Sequence, residues 1–397
     1  MRMNWTANWM AAWAALVVLM LVPAHEGVAA DKSAGATAVI TNQHVKTDSK
    51  DSKFGAPDKV YTRDEIRAAR PLGWAPAPPP DLRYEADKTF REAAPEVGGP
   101  PSLGRPGAPN LKADHEAKRD FAEDWSALKQ PDELSDSDPG SSGASADGFL
   151  QGENDVDFGT SDIYTGYRGN FWASQQLKFP WKAVGKLLID GGGYCTAQSI
   201  TGAPKNILVT AAHCVYDRAN GTFYSGWTFV PAERNGVAPY GQFRWASARV
   251  LKAYIKKGTR RTDVALIRLQ NNAQGQPVSF YTGWLGWRVN FPYTASLHSI
   301  GYASNISTEW TSMCAAESFS ASCEGADVLV KGCNMTFGSS GGAWIEQYRP
   351  YEVSGYVEAV VSGPSCAGTF GQTYVGPRFS TANFATLCAA EGGCTTP

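Results

Sequence analysis

All eight cysteines of this 397-residue chain lie between Cys195 and Cys394. Any covalent cross-linking is therefore confined to residues 195–394, and the stretch before Cys195 must hold itself by other means. Its composition argues against a core of its own. Residues 31 to about 160 are rich in Lys, Asp, Glu, Pro, Gly and Ser, and ten of the chain's 24 prolines fall between Pro71 and Pro109. So little apolar surface does not offset the entropy of ordering a chain. Residues 31–165 read as a largely disordered pro-region or linker, and 166–397 as one cross-linked domain. Within the first part, Phe121, Trp125 and Leu128 fall on one stripe of a helix, and the Ser/Gly/Asp stretch from Ser135 to Gly148 reads as a linker. A surface tether is the other reading of such a polar segment.

The N-terminus explains why disulfides would form. Arg2, an apolar run from Met10 to Val22 and the small residues Val28-Ala29-Ala30 have the order of a secretory signal peptide, residues 1–30, cleaved after Ala30. About 13 apolar residues fall short of the ~20 that span a bilayer. An exported protein with an even set of cysteines in one domain reads as disulfide-bonded. The chain is expected to be secreted, extracellular or periplasmic, with no membrane association after signal removal, and monomeric. Net charge −2 and a pI near 6.2 offer no basic surface for nucleic acid. A zinc site is not expected, since of five histidines only His213 lies near a cysteine, and no cofactor is called for.

From about residue 175 the texture becomes short β-like runs: Ala183 to Ile189, Ile207 to Ala211, Phe243 to Val250, Val264 to Leu269, Asp327 to Val330 and Tyr356 to Val361. Glycine and proline punctuate them at intervals that suit a barrel or sandwich. Ser380 is placed to cap a helix through Ala390, with Gly392 and Gly393 beyond its end.

Two motifs carry the chemistry. Gly338-Ser339-Ser340-Gly341-Gly342 sets a serine between small residues, where a tight turn can aim backbone N–H groups at a carbonyl. Thr210-Ala211-Ala212-His213-Cys214 supplies an imidazole, the usual activator of a weakly nucleophilic hydroxyl. At these residues, and over about Trp181 to Ala390, the chain resembles the chymotrypsin-like (trypsin-like) serine peptidases, more narrowly their V8 or glutamyl endopeptidase branch. The resemblance implies an all-β fold of two antiparallel β-barrels, barrel 1 at about 175–288 and barrel 2 at about 289–390, with a C-terminal helix. It implies a secreted serine endopeptidase acting on protein or peptide substrates. It also pairs Cys195 with Cys214 around the histidine and suggests Cys314 with Cys333; the six cysteines other than Cys195 and Cys214 allow 15 pairings, among which proximity suggests Cys388 with Cys394.

The third catalytic member should be a carboxylate that holds the imidazole tautomer. Asp263, at the head of Asp263-Val264-Ala265-Leu266-Ile267, matches the family's aspartate in order and rough spacing. Asp217 and Asp190 compete, but both read as solvated turn residues. His213, Asp263 and Ser340 thus form the expected triad, with the N–H groups of Gly338 and Ser340 as oxyanion hole. The serine motif also fits the Gly-x-Ser-x-Gly elbow of α/β-hydrolases, but that fold needs a histidine after its serine, and His298 is the last one here. The reading from another class is an inactive peptidase scaffold that binds; Ala343, where the family usually has proline, leaves room for a distorted site.

Specificity is less constrained. Asn334 stands six residues before Ser340, where a trypsin-like preference would need an aspartate. Val361 stands where the glutamate-specific branch uses a histidine. Val360 to Gly363 is expected to pair with the substrate backbone, with Val361, Ser362 and Gly363 lining the site. Ser339 replaces the aspartate that captures a new N-terminus in the trypsin branch, so a zymogen of this chain would use another switch. The segment from Asp31 to about Thr165 would restrain the enzyme or assist its folding.

Overall fold

The computed structural model describes residues 38–43, 59–74, 94–98, 101–102, 167–168, 176–202, 205–321, 324–349, 354–365 and 373–395. The signal peptide, the Phe121–Leu128 stripe and the Ser135–Gly148 linker lie outside the described residues.

In chain order the early strands are β1 (Val39–Gln43), β2 (Arg70–Pro71), β3 (Glu96–Gly98) and β4 (Tyr167–Arg168), with a short helix α1 (Arg63–Ala68) before β2. The domain then runs through β5 (Val184–Ile189), β6 (Gly193–Ser199), β7 (Ile207–Thr210), a small hairpin of β8 (Tyr216–Asp217) and β9 (Thr222–Phe223), β10 (Trp227–Pro231), β11 (Phe243–Leu251) and β12 (Ala265–Leu269). The order β11-β10-β5-β6-β7-β12 returns on itself because β12 also pairs with β11, which closes a six-stranded barrel. β10 pairs with β11 only at Phe243 and Arg244, so the rest of that edge of β11, Ser247–Leu251, is open to a further strand. Most of the barrel's strand residues are buried, every residue of β5 among them, because Trp181, Trp227 and Phe229 belong to a cluster shared with the second sheet and the early segment packs Tyr61, Ile66 and Ala69 against Leu188, Tyr194 and Val230.

The second sheet holds β13 (Gly286–Val289), β14 (Ser296–Gly301), β15 (Ser312–Ser320), β16 (Val328–Gly332), β17 (Ala343–Glu346), β18 (Tyr356–Val360), β19 (Gly363–Pro364) and β20 (Thr373–Pro377). β18 and β19 are successive stretches of one extended segment that meets β17 at one end and β20 at the other, so this sheet also curls into a barrel. Residues Thr381–Ala385 and Thr386–Ala390 form the C-terminal helix, where the Asn383 side chain accepts from the N–H of Ser380 at 2.7 Å. The two-barrel, C-terminal-helix architecture expected from the sequence is present, with β13 already in the second sheet, slightly earlier than the expected boundary at residue 288.

The described parts of residues 31–165 contribute three strands to the two sheets. β1 adds to β11 over five residue pairs, β2 adds in parallel to β6, and β3 adds to β13. The composition argument counted only what this stretch can bury by itself. Its strands instead pair with strands of the two sheets.

Disulfides join Cys195 to Cys214, Cys314 to Cys333 and Cys388 to Cys394. Cys323 and Cys366 lie outside the described residues.

Candidate active site

The site lies where the two barrels meet. His213 occupies a short turn, Ala212–Cys214, directly after β7, and the Cys195–Cys214 disulfide ties that turn back to β6. Asp263 sits just ahead of β12, which pairs with β7, so the register that closes the first barrel also brings the two side chains together. The carboxylate holds His213 twice: Oδ1 accepts the His213 backbone N–H at 2.8 Å and Oδ2 faces Nδ1 at 2.8 Å.

Asp263 is fully buried. Burial alone would push its carboxyl upward, but the adjacent His213, its hydrogen bonds, and one from the Ser362 hydroxyl at 2.5 Å hold it below the usual carboxylate range. It therefore stays ionised. Arg260, itself buried, donates to the Ser362 carbonyl and hydroxyl at 3.3 Å.

Ser340 comes from the second barrel, on the turn between β16 and β17, yet it is bonded to the first. The Thr196 N–H donates to the Ser340 carbonyl at 2.8 Å, and the Thr196 hydroxyl donates to the Gly338 carbonyl at 2.9 Å. Ser340 thereby lies against the turn of His213, with its carbonyl 3.8 Å from Cys214 Sγ. Gly338 has φ +85°, and an added Cβ would fall 2.5 Å from Tyr194 Cε2 and 2.5 Å from the Tyr302 carbonyl oxygen. Only glycine fits there.

The Ser340 hydroxyl and His213 Nε2 are both buried, and among the described residues neither has a hydrogen-bond partner. The same holds for the N–H groups of Gly338 and Ser340, whereas the neighbouring N–H groups of Ser339, Gly341 and Gly342 donate to Thr336, Val361 and Ser339. A base, a hydroxyl and two N–H donors stand uncommitted around one turn. Such an arrangement can take a proton from the hydroxyl and stabilise negative charge forming beside it.

The competing aspartates serve elsewhere. Asp217 caps its own turn through the N–H groups of Ala219 and Asn220, and Asp190 pairs with Arg244 and accepts from Tyr61 Oη. Asn334 lends its carbonyl to Asn305 Nδ2 at 2.8 Å. The Val360–Gly363 stretch offers a substrate less free backbone than expected. Val361 exchanges N–H and C=O bonds with Gly342 and Gly341, and the Ser362 N–H donates to Val375, because this stretch stitches the serine turn to β20. Thr196 and Arg260, and the bond from Ser362 to Asp263, were not anticipated. A threonine directly after the first cysteine of a pair that flanks the histidine was the available signal for Thr196.

As to a metal, Cys195, His213 and Cys214 place donor atoms within 4.8 Å of one another. The two sulfurs are bonded to each other and His213 Nδ1 faces a carboxylate, so the group has no thiolate to offer.

No family model matches the chain. A curated relative, an extracellular metalloprotease of Bacillus subtilis (strain 168), is 28% identical over 135 residues, which is 34% of this chain and 40% of that protein. The chain thus aligns with about two fifths of the length of the curated relative it matches. Among solved structures, the protease Anisep from Arthrobacter nicotinovorans is 29% identical, with a TM-score of 0.46, covering 53% of this chain and 96% of that one. A Glu endopeptidase is 17% identical, with a TM-score of 0.46, covering 57% of this chain and 96% of that one. A thermostable serine protease, AL20, from an extremophilic microorganism is 23% identical, with a TM-score of 0.47, covering 53% of this chain and 97% of that one.

Proposed function

We propose that the chain is a secreted serine endopeptidase working through His213, Asp263 and Ser340. The observation that carries this reading is a buried, ionised Asp263 bonded twice to His213, while His213 Nε2 and the Ser340 hydroxyl stay unpartnered beside it. In the proposed cycle the Ser340 hydroxyl oxygen attacks a peptide carbonyl as its proton passes to His213 Nε2. The tetrahedral oxyanion is received by the N–H groups of Gly338 and Ser340. The C–N bond then breaks, the amine leaves with the proton from His213, and water hydrolyses the acyl-enzyme by the same steps. Asp263 holds the ring and balances its transient charge.

Export follows in this reading from the leader at residues 1–30, and the disulfides suit it. Among the described residues, no helix is long and apolar enough to cross a membrane. Asn334, Val361, Ser362 and Gly363 keep a role at the substrate site, with backbone pairing narrowed to the region from Gly363 onward. The pro-region reading narrows as well, because its described parts are built into the sheets.

The missing hydrogen bond between Ser340 and His213 favours one second reading, a catalytically inactive scaffold that binds peptides. A fluorophosphonate probe separates the two. Labelling at Ser340, lost in Ser340→Ala together with casein cleavage while the fold is retained, is the expected result. An unlabelled, folded parent leaves the binding module as the better reading.

A further inference from the structure

The geometry points to residues 59–74 as a built-in positioning element of the catalytic turn, not as a segment that leaves on maturation. The inference rests on the peptidase reading above.

This segment folds locally and docks by its backbone. Thr62 and Glu65 close a capping box on α1: Thr62 Oγ1 accepts the Glu65 N–H at 3.3 Å, and Glu65 accepts the Thr62 N–H at 2.9 Å. Tyr61 exchanges two bonds with the Gln242 side chain, at 2.9 and 2.6 Å, and its hydroxyl donates to Asp190 at 2.8 Å. The N–H groups of Arg70 and Leu72 donate to the carbonyls of Gly192 and Tyr194 at 2.8 and 2.9 Å. At Gly236 a Cβ would fall 2.5 Å from the Arg63 carbonyl, so α1 approaches as closely as only a glycine permits.

What this docking covers is the back of the serine turn. Tyr61, Ile66 and Ala69 form one buried cluster with Leu188, Tyr194, Val230 and Tyr302. Lys186, buried and paired with Glu233 at 3.1 Å, reaches the Ile66 carbonyl at 3.4 Å and lies 5.0 Å from the Tyr194 ring and 5.4 Å from that of Tyr302. Those two tyrosines form the wall on which Gly338 rests. At the other end of the segment, Trp74 packs edge-on against Phe337 with ring centroids 5.4 Å apart. Consecutive residues of the turn, Phe337 and Gly338, are therefore backed by one stretch of chain. Ser339, next in line, donates its hydroxyl to the Thr336 carbonyl at 2.6 Å.

A turn that loses this backing would hold its N–H donors less well, and misplacing catalytic groups by about 1 Å costs on the order of 100-fold in rate. The effect should fall on kcat, because oxyanion contacts strengthen in the transition state.

The test uses the full chain carrying Trp74→Ala, Trp74→Phe or Ile66→Ala, assayed on a peptide ester. The expected result is a fall in kcat of about 10-fold or more for Trp74→Ala and Ile66→Ala, with KM within about twofold, both variants folded at the assay temperature by circular dichroism even though Ile66→Ala melts earlier, and near-parental kcat for Trp74→Phe. Mass spectrometry of the active secreted protein should find residues 59–74 present. Parental kcat in both alanine variants, a rise in KM alone, loss that follows unfolding, or a fully active species lacking 59–74 would overturn the inference. An inert parent, unlabelled by fluorophosphonate, removes the peptidase reading and this one together; an active parent with unaltered variants removes this one alone.

Discussion

Asp263 touches His213 at both ends of the residue, one oxygen on the backbone N–H and the other facing Nδ1, each at 2.8 Å. The first contact fixes where the histidine sits and the second fixes which way its ring points.

Asp263→Asn should therefore leave the turn in place and spoil the chemistry. An amide at this position favours the wrong tautomer, and comparable changes cost about 10⁴ in kcat. Circular dichroism should be unchanged while steady-state hydrolysis collapses. A variant retaining more than a tenth of parental kcat would remove Asp263 from the triad.

Gly338→Ala is expected to cost at least about 10² in kcat, the typical effect of losing one oxyanion donor. The added methyl would lie 2.5 Å from Tyr194 Cε2, at φ +85°. Something must shift, and the shift displaces the N–H. Parental turnover by a folded Gly338→Ala protein would exclude Gly338 from the oxyanion hole.

Stability should decline toward alkaline pH through Glu358. Burial, together with the neighbouring Glu346, raises its carboxyl from 4.5 to about 9, even with Arg288 beside it. The folded protein thus binds a proton that the unfolded chain has released, so this contribution is full below about pH 4.5 and lost as pH rises through 9. Melting curves from pH 6 to 10 should show a falling midpoint in the parent and a flatter profile in Glu358→Gln. Parallel profiles would refute the assignment of this pH dependence to Glu358.

Replacing Cys195 and Cys214 together by serine should lower stability by about 3 kcal/mol on the chain-entropy account of a loop of this size. The closed loop spans 19 residues and includes the His213 turn, so denaturant midpoints and activity should fall together. Loss of stability with undiminished kcat would show that the turn is held by Asp263 alone.

The candidate site was legible because its informative signals are local. A glycine-flanked serine and a histidine beside a cysteine can each be read within five residues, and the short, mostly apolar runs of β5, β7 and β12 announce themselves. What escaped was contributed from afar. β2 is two residues long, contains a proline, and pairs with a strand more than a hundred residues downstream, so neither periodicity nor propensity could mark it. The capping box at Thr62 and Glu65 is a readable helix start inside a stretch that composition marks as largely disordered. The Ser362 to Asp263 bond joins residues 99 apart, and only the closure of both barrels brings them into reach.

Arg249 has a further meaning once the sheets are in place. From the middle of β11 it bonds Thr41 of β1 on one side and, at 2.7 Å, buried Glu391 behind the C-terminal helix on the other, where Arg268 of β12 also converges. A strand from before the domain and the helix that follows it share one buried carboxylate and its guanidinium partners. Amide protons of β1 and of residues 386–390 should accordingly exchange with solvent as one cooperative unit, opening together or not at all.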